Sequence, residues 1–472
     1  MNVKYCLCLL LACFLFCLLC NPLALYFLSD DFDSMFMAQT WSGVIHSYRP
    51  GSDFLLHTDH LLYNYNASGY HITNYLLHFL TVFMLFFTTR QLLQPFYSPK
   101  TVEQYAFVAS LIFLFYPFHS ECIFWLVGRS SLLAALFAMA SIYCYLRKKA
   151  GISWYILSLV CLILGLFSYE SIWTLPAFII ILSLIYDKGT TLKYKLLYAG
   201  GYWLVFFIYL VARFYLTTTF IGSPYGTQKI VSLNILLLLR NLASLLSRSF
   251  VPPMQSSIWF VICLCIMVLM IAVVLFKIKG QITTPIVVTT IAFLLCLLPV
   301  ISLGIDTHDT ESERFLYMPS TFLSILFSIV LHTLFKNKTA YAIGVLLAAQ
   351  IVFLSISYRS FVAASKVTKA TAQGLSSLQQ THIIYCINLP GQYKGGFIFR
   401  NGIANAANLF APQVKEVNIV SQSVLSNYPN NYRLDFYPLN NLPGSLKKML
   451  ALKSASQTAV LVWDMRSLNV YR

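Results

Sequence analysis

The amino-acid sequence predicts an all-α polytopic membrane protein with about eleven transmembrane helices, followed by a small extracytoplasmic α/β domain. Of the 472 residues, 58% are hydrophobic and only 10% are charged, whereas a soluble domain carries about 25% charged residues. The mean hydropathy is +0.71. These values exclude an ordinary soluble globule, and they exclude a disordered chain because disorder requires low hydrophobicity and high charge.

The predicted spans are apolar segments close to the ~20 residues that cross a bilayer. They lie at 5–28, 71–93, 104–118, 122–146, 152–168, 171–186, 194–217, 257–276, 283–304, 317–335 and 340–358. No small-residue cleavage site follows the first segment, which we therefore interpret as an anchored helix rather than a signal peptide. The stretch 232–250 holds Arg240 and Arg248 among leucines, and it is predicted to be an interfacial or re-entrant helix.

The basic residues predict the orientation of the spans. The net charge is +16, and with a cytoplasmic N-terminus the short basic loops all fall on the cytoplasmic side, as the positive-inside rule requires. The residues concerned are Arg90, Lys100, Arg147, Lys148, Lys149, Lys188, Lys193, Lys195, Lys277, Lys279, Lys336 and Lys338. This distribution favours a membrane protein over a nucleic-acid-binding protein. We therefore predict a transmembrane domain over 1–360, with a first outer loop at 29–70, and an extracytoplasmic domain over 361–472.

The C-terminal part differs in composition from the rest of the chain. Short runs with strand character alternate with weakly helical stretches, which is typical of a small α/β domain. The strand-like runs are His382–Ile387, Gly396–Phe399, Val414–Val420 and Thr458–Trp463, and the helical stretches are 402–409 and 444–452.

Adjacent carboxylates directly follow the first predicted span. Asp30 and Asp31 have two interpretations of about equal weight. Asp is a good helix N-cap, but a carboxylate beside another one near a low-dielectric region is also suited to proton abstraction.

Histidines are concentrated in and after the first outer loop. His57 and His60, with Asp59 between them, have the donor types of a zinc or manganese site, although the short spacing is weak support. His71 and His78 are two helical turns apart on one face. They are interpreted first as packed, hydrogen-bonded histidines and second as residues lining the bundle interior.

Charged residues at span edges are costly and usually face a partner or a cavity. Arg129 is predicted either to pair with Glu121 or Glu170 or to line a site for a polar ligand. Arg314 is suited to bind a phosphate through its fork of donors. The alternative for this residue is a surface pair with Glu313, which would contribute little.

Taken in order, these motifs resemble the GT-C superfamily of glycosyltransferases that use polyprenyl-phosphate sugars. The chain is most similar to the transmembrane O-mannosyltransferases that carry tetratricopeptide repeats and to their repeat-free bacterial relatives. The motifs that carry the resemblance are Asp30-Asp31, Tyr48-Arg49-Pro50, Tyr70-His71-Ile72-Thr73-Asn74 with His78, Gly128-Arg129, Glu170 with Leu175-Pro176, and Glu313-Arg314-Phe315-Leu316-Tyr317-Met318-Pro319-Ser320. The chain departs from the family at Ser131, where an acid is common, and at Tyr169, where a lysine is frequent.

The resemblance implies a GT-C-like fold and an inverting transfer of a sugar, such as a hexose or mannose, from a polyprenyl phosphate to an acceptor outside the cytoplasm. It implies Asp30 as the general base, with Asp31 as neighbour and rival, and Arg49 and Arg314 as ligands of the donor phosphate. The second choices for lining the substrate site are His71, His78, Arg129, Glu170 and Glu313.

We expect no cofactor to be required; a divalent metal is compatible with the site but not favoured. The expected partners are the lipid-linked donor, a protein, lipid or glycan acceptor, and membrane lipids, with no nucleic acid. The expected location is the inner membrane of a bacterium. The competing hypotheses are a transporter or flippase of lipid-linked sugars, a non-catalytic scaffold of envelope-glycan assembly, and a ligase or polymerase of surface glycans.

Overall fold

The computed structural model describes residues 3–187, 189–217, 234–254, 256–278, 283–378, 381–423, 444, 458–463 and 468–471. Their helices are α1 (Val3–Leu19), α2 (Asp31–Ala38), α3 (Trp41–Ile45), α4 (Pro50–Tyr63), α5 (Ala67–Leu93), α6 (Pro99–Leu114), α7 (Ser120–Phe124), α8 (Arg129–Leu146), α9 (Ile152–Leu166), α10 (Leu175–Tyr186), α11 (Leu192–Thr217), α12 (Ile235–Arg248), α13 (Ser257–Ile278), α14 (Thr284–Leu297), α15 (Tyr317–Phe335), α16 (Thr339–Ser376) and α17 (Ile403–Phe410). Their strands are β1 (Ile383–Ile387), β2 (Leu389–Pro390), β3 (Gln392–Tyr393), β4 (Gly396–Phe397), β5 (Glu416–Ile419), β6 (Gln422–Ser423), β7 (Thr458–Trp463) and β8 (Leu468–Tyr471).

The predominantly helical fold with several apolar helices is confirmed. Each predicted span overlaps one of the helices α1, α5, α6, α8 to α11 or α13 to α16. By length and composition, six of the described helices could cross a membrane, or seven if the bent pair 99–114 and 117–124 is one span. Shorter apolar helices lie at Ile152–Leu166, Glu170–Tyr186 and Thr284–Val300. The chain is therefore a multi-pass membrane protein. The number of eleven spans stays a prediction.

Helix α8 lies at the centre of the bundle, where small side chains allow helices to approach closely. Ala134, Ala135 and Ala138 are fully buried on α8. Two hydroxyl groups link this helix to its neighbours: Thr88 Oγ1 donates to the Met139 carbonyl at 2.9 Å, and Ser141 Oγ donates to the Ser158 carbonyl at 2.8 Å. By contrast, α13 leaves most of its apolar side chains exposed, as expected of a peripheral helix that faces lipid.

Helix α12 occupies most of the stretch predicted to be interfacial or re-entrant, and it is not among the helices suited to span a membrane. Its first turns expose Ile235, Leu236 and Leu239, but Arg248 near its end is fully buried. The Arg248 guanidinium donates to the carbonyl oxygens of Asp306 and Val251 at 3.0 and 2.7 Å. The bond to Asp306 ties α12 to the loop that precedes α15, while the interfacial position of α12 stays a prediction.

The C-terminal region has the mixed strand and helix content that the sequence predicts. Its main sheet has the order β5-β1-β7-β8, in which β1 is parallel to β5 and β7, and β8 is antiparallel to β7. The four predicted strand runs coincide with β1, β4, β5 and β7, and the helical stretch at 402–409 coincides with α17. The stretch predicted at 444–452, apart from residue 444, and the basic residues Lys188 and Lys279 lie outside the described residues.

Helix α16 connects the bundle to this sheet. It runs without a break from Thr339 to Ser376, so its backbone passes through the predicted boundary at 360 and the first strand begins only at Ile383. The division of the chain into 1–360 and 361–472 stays a prediction.

Candidate functional site

The two adjacent aspartates have different surroundings. Asp30 occupies the N-cap position of α2, but its side chain makes no capping hydrogen bond. Asp31 is buried, and its carboxylate accepts the amide N–H of Leu28 at 2.8 Å and that of Val127 at 3.1 Å. Burial raises the pKa of Asp31 to about 8, against the lowering effect of these amides. Asp31 therefore links α2 to the segment before α8, and Asp30 is the more accessible of the two.

Asp30 opens onto a cavity of about 620 Å³ between the first outer loop and the C-terminal region. The cavity is lined by Asp30, Asp33, Ser34, Met37, Ser47, Tyr48, Arg49, Ser52, Asp53, Leu56, Val127, Ser130, Asn401 and Asn405. Two of the sequence-predicted site residues, Asp30 and Arg49, thus share one cavity. A carboxylate and a guanidinium at the same opening offer a proton acceptor and an anion-binding group.

Arg49 is held by a carboxylate and by aromatic rings. Its Nη2 lies 3.0 Å from Glu170 Oε2, and its guanidinium lies 4.3 Å from the centre of the Tyr169 ring. The other oxygen of Glu170, Oε1, lies 3.0 Å from Nη2 of Arg213. The side chain of Arg49 keeps 30% of its surface exposed, but that of Arg213 keeps only 3%. Glu170 thus serves as the shared partner of an accessible arginine and a buried one.

Arg213 was not among the residues predicted from sequence to form the site. It lies in the last turns of α11 and contacts the Tyr48 ring at 4.0 Å. The signal that could have found it is an arginine within the apolar segment 194–217, because such charges mark partners or cavities. What the sequence did not supply was its partner, since 43 residues separate Arg213 from Glu170.

Arg314 is paired with a different carboxylate. Its Nη1 is 3.2 Å from Glu121 Oε2. Glu121 is fully buried and further accepts the backbone N–H of Ser312 and that of Arg314. Arg314 does not line the cavity but is 26% exposed. Arg49 and Arg314 are thus held by different acids, Glu170 and Glu121.

Glu313 does not form the predicted surface pair with Arg314, and that interpretation was wrong. Glu313 is fully buried, with its Oε1 2.6 Å from Arg248 Nη2 and its Oε2 accepting the hydroxyl of Ser120. The 3₁₀ turn Glu313–Leu316 points the two neighbouring side chains in different directions. Glu313 therefore ties α12 and α7 to the start of α15, away from the cavity.

Arg129 pairs with neither Glu121 nor Glu170, so both predicted partners were wrong. Its Nη1 lies 2.7 Å from Asp59 Oδ2, and both side chains are buried. Its Nε donates to Asn74 Oδ1 at 3.0 Å and its Nη2 to the Tyr70 carbonyl at 3.2 Å. The first outer loop brings Asp59 into the bundle through α4, and sequence separation hid this contact. Arg129 does not line the cavity.

The buried histidines of α5 are hydrogen-bonded within the protein, which agrees with the first interpretation given to them. His71 Nε2 lies 3.3 Å from the Tyr26 carbonyl. His78 Nδ1 lies 2.7 Å from the Tyr317 hydroxyl, and its Nε2 lies 3.2 Å from the Leu114 carbonyl. Neither lines the cavity beside Asp30.

In the part of the chain that the structure describes, the predicted metal donors His57, Asp59 and His60 of α4 do not belong to a cluster of three possible metal ligands. His57 directs Nδ1 to the Ala38 carbonyl at 2.7 Å. Within the described residues, the one group of three possible metal-ligating side chains close to one another is Asp306, Asp309 and Glu311. That group lies in the loop before α15, outside the cavity.

Comparisons with known proteins relate part of this chain to glycosyltransferases. No family model matches the sequence. The chain is 32% identical over 108 residues to protein O-mannosyl-transferase TMTC2 of Mus musculus, a match that spans 23% of this chain and 12% of that protein. It is 27% identical over 103 residues to protein O-mannosyl-transferase F38B6.6 of Caenorhabditis elegans, spanning 22% of this chain and 14% of that protein. The matches therefore cover only a small part of the length of these relatives.

Solved structures of an oligosaccharyltransferase from Archaeoglobus fulgidus are also similar. One, tethered with an acceptor peptide, has a TM-score of 0.48 and 11% identity and covers 88% of this chain and 64% of its own. Another, of the oligosaccharyltransferase AglB in complex with an inhibitory peptide and a dolichol-phosphate, has a TM-score of 0.45 and 10% identity with the same coverage. The resemblance to the O-mannosyltransferases that the motif order predicts is confirmed over the matched segment: this part of the chain is similar to the protein O-mannosyl-transferases.

Proposed function

We propose that this protein is a membrane glycosyltransferase that transfers a sugar from a polyprenyl phosphate to an acceptor on the extracytoplasmic face, with inversion at the anomeric carbon. The observation that carries the proposal is the cavity that Asp30 and Arg49 share. It provides a carboxylate for the acceptor proton and a cation for the departing phosphate. The similarity to protein O-mannosyl-transferases supports the same reaction class.

In the proposed reaction, the acceptor hydroxyl transfers its proton to the Asp30 carboxylate as its oxygen attacks the anomeric carbon. The bond between that carbon and the phosphate oxygen breaks on the opposite face, and polyprenyl phosphate leaves with the bonding electrons. General base assistance of this kind contributes about 10²–10⁴-fold in rate. Asp30 is preferred over Asp31 because both carboxylate oxygens of Asp31 accept backbone N–H groups.

The departing phosphate gains negative charge, which fixed cations stabilise without reorganisation. We assign Arg49 as the primary phosphate ligand because it lines the cavity and is partly exposed. Arg213 shares Glu170 with Arg49, and Arg314 is paired with Glu121. Arg49 is the cation that lines the cavity, beside the carboxylates of Asp30, Asp33 and Asp53, and we assign the contact with the departing phosphate to its partly exposed guanidinium. A reaction that relies on these cations requires no metal, and we expect transfer to persist in the presence of EDTA.

We also propose the orientation predicted from the basic loops, with a cytoplasmic N-terminus and an extracytoplasmic C-terminal region in a bacterial inner membrane. This orientation places the Asp30 cavity at the outer face, where a lipid-linked sugar and a protein, lipid or glycan acceptor meet. The lipid of the donor would lie between membrane-spanning helices, so a small polar cavity suffices for its headgroup.

The test is sugar transfer in membranes that contain equal amounts of wild type, Asp30→Asn or Asp31→Asn, with labelled polyprenyl-phosphate sugars as donors and the endogenous acceptors. Glu416→Gln is the matched control, since Glu416 is an exposed carboxylate outside the cavity. We expect the wild type and Glu416→Gln to transfer sugar and Asp30→Asn to lose at least about 100-fold in rate.

Equal rates in Asp30→Asn and wild type would remove Asp30 from the mechanism. Movement of donor across the membrane without any transfer, by folded protein, would instead establish the transporter hypothesis.

A further inference from the structure

The C-terminal region holds the backbone that carries Asp30. The amide N–H of Ser29 donates to the Ile398 carbonyl at 2.8 Å, and the amide N–H of Asn401 donates to Ser29 Oγ at 3.2 Å. Ser29 adopts a left-handed conformation with φ of 46°, which is uncommon for a residue with a side chain. The contacts from the C-terminal segment stabilise this turn directly before Asp30.

Residue 402 must be glycine because the segment 398–402 lies very close to residues 29 and 30. The φ of Gly402 is 85°, and a Cβ atom at this position would lie 2.3 Å from the Ser29 carbonyl oxygen. Only glycine combines this backbone conformation with such an approach. The segment 398–402 thus fits closely against residues 29 and 30.

Side-chain contacts extend this fit along α2. Phe32 stacks on Phe399 with ring centres 5.6 Å apart, and Asn405 Nδ2 donates to Asp33 Oδ1 at 2.7 Å. Asn401 and Asn405 both line the cavity that contains Asp30. The C-terminal region therefore forms one wall of the candidate site.

The most direct contact is made with the candidate base itself. Asn401 Nδ2 donates to Asp30 Oδ1 at 2.9 Å, and Ser29 Oγ donates to the same oxygen at 3.3 Å. Both bonds engage Oδ1, so Oδ2 is the oxygen that we expect to receive the acceptor proton. A general base must be held in the geometry of attack, because a displacement of about 1 Å can cost about 10²-fold in rate.

We propose that Asn401 is a positioning residue for Asp30 and that the segment 398–405 thereby completes the transfer site. The inference rests on the proposed function. It assigns a role in the reaction to the C-terminal region, which otherwise has no part in the chemistry. Asn401 acts through its hydrogen bond to Asp30, so we expect it to affect the rate of the chemical step rather than donor binding.

The experiment compares Asn401→Ala with the wild type over a range of labelled polyprenyl-phosphate mannose concentrations, in membranes with endogenous acceptors. The matched control is Asn418→Ala. Asn418 donates an amide N–H to a carboxylate, Glu416 Oε1, at 3.0 Å in the same region, but it does not line the cavity. Asn401→Asp, which is nearly isosteric and has no donor, serves as a second variant if Asn401→Ala fails to fold.

We expect Asn401→Ala and Asn401→Asp to lower kcat about 10–100-fold with an unchanged KM for the donor, and Asn418→Ala to match the wild type. Asn401→Gln, which keeps the donor, should retain more activity than Asn401→Ala. Equal kcat in wild type and both Asn401 variants would overturn the positioning role and leave the proposed function intact, as would a change confined to KM. Absence of transfer by the folded wild type, with this donor and with the other labelled polyprenyl-phosphate sugars, would overturn the proposed function as well.

Discussion

The ion pair between Arg129 and Asp59 allows a quantitative test of whether Arg129 is structural or binds substrate. Both side chains are buried, at 0% and 3% exposure, and their charged atoms are 2.7 Å apart. Removal of one partner of a buried pair leaves an uncompensated charge and costs about 3–5 kcal/mol. We therefore expect Arg129→Met and Asp59→Leu each to lower the free energy of unfolding by this amount.

The double variant Arg129→Met/Asp59→Leu has neither charge, so it should be more stable than either single variant. We expect a coupling free energy of about 2 kcal/mol, within the range for residues in direct contact. The free energy of unfolding of the double variant should stay below that of the wild type, because Asn74 Oδ1 and the Tyr70 carbonyl lose the N–H groups that Arg129 donates. The assay is denaturant-induced unfolding of purified protein in detergent, followed by sugar transfer per mole of folded protein.

Because Arg129 does not line the cavity, the folded double variant should transfer sugar at a rate within a few-fold of the wild type. The reasoning would be refuted if Arg129→Met unfolded at the same denaturant concentration as the wild type and yet lost transfer. That result would place Arg129 in the substrate site, as the family resemblance implies.

Three further predictions concern Arg213, Asp31 and Asp309. Arg213→Gln should raise the KM for the donor about 10–100-fold. The reason is the loss of roughly 1.5–3 kcal/mol from the charge-assisted hydrogen bond to Glu170, which also holds Arg49. An unchanged KM would contradict this prediction. Asp31→Asn should lower the free energy of unfolding by about 1–3 kcal/mol, since an amide replaces one of two acceptor oxygens, but should keep measurable transfer, whereas complete loss from folded protein would make Asp31 the base. Burial and the neighbouring Asp306 raise the pKa of Asp309 to about 7, so its folded form binds a proton more tightly than the unfolded chain and stability should fall as pH rises from about 4 to 7. Asp309→Asn should reduce the change in the free energy of unfolding between about pH 4 and 7 by at most about 4 kcal/mol. A variant whose free energy of unfolding changes with pH as in the wild type would disprove this prediction.

Much of the fold could be predicted from composition and local pattern. The apolar segments form helices because a buried or lipid-facing backbone must satisfy its own hydrogen bonds, and each predicted segment coincides with one. The strands β1, β5 and β7 were predictable from short runs rich in β-branched residues. For the candidate site, the sequence predicted Asp30 and Arg49, which line one cavity, but it did not predict Arg213, Asn401 or Asn405; the roles of all five stay proposals.

The wrong predictions concern which charged residues form ion pairs with each other, rather than which residues need a partner. The sequence indicates that Arg129, Glu121, Glu170, Glu313 and Arg314 need partners, because charges near a membrane interior are costly. It does not indicate which of them meet, since pairing depends on the crossing of helices far apart in the chain. Arg129 meets Asp59 and Arg314 meets Glu121, and neither pair follows from spacing.

The sequence by itself determined that the chain is a multi-pass helical protein, that basic residues cluster in short loops between apolar segments, and that Asp30 and Asp31 follow the first apolar segment. Those properties depend on local hydrophobicity and charge, which each segment carries alone. Only the tertiary structure distinguished the two aspartates, by burying Asp31 against backbone amides and leaving Asp30 at the cavity, hydrogen-bonded to Asn401. The physical reason is that hydrogen bonding and burial are properties of the neighbours that folding brings together, and 371 residues separate Asp30 from Asn401.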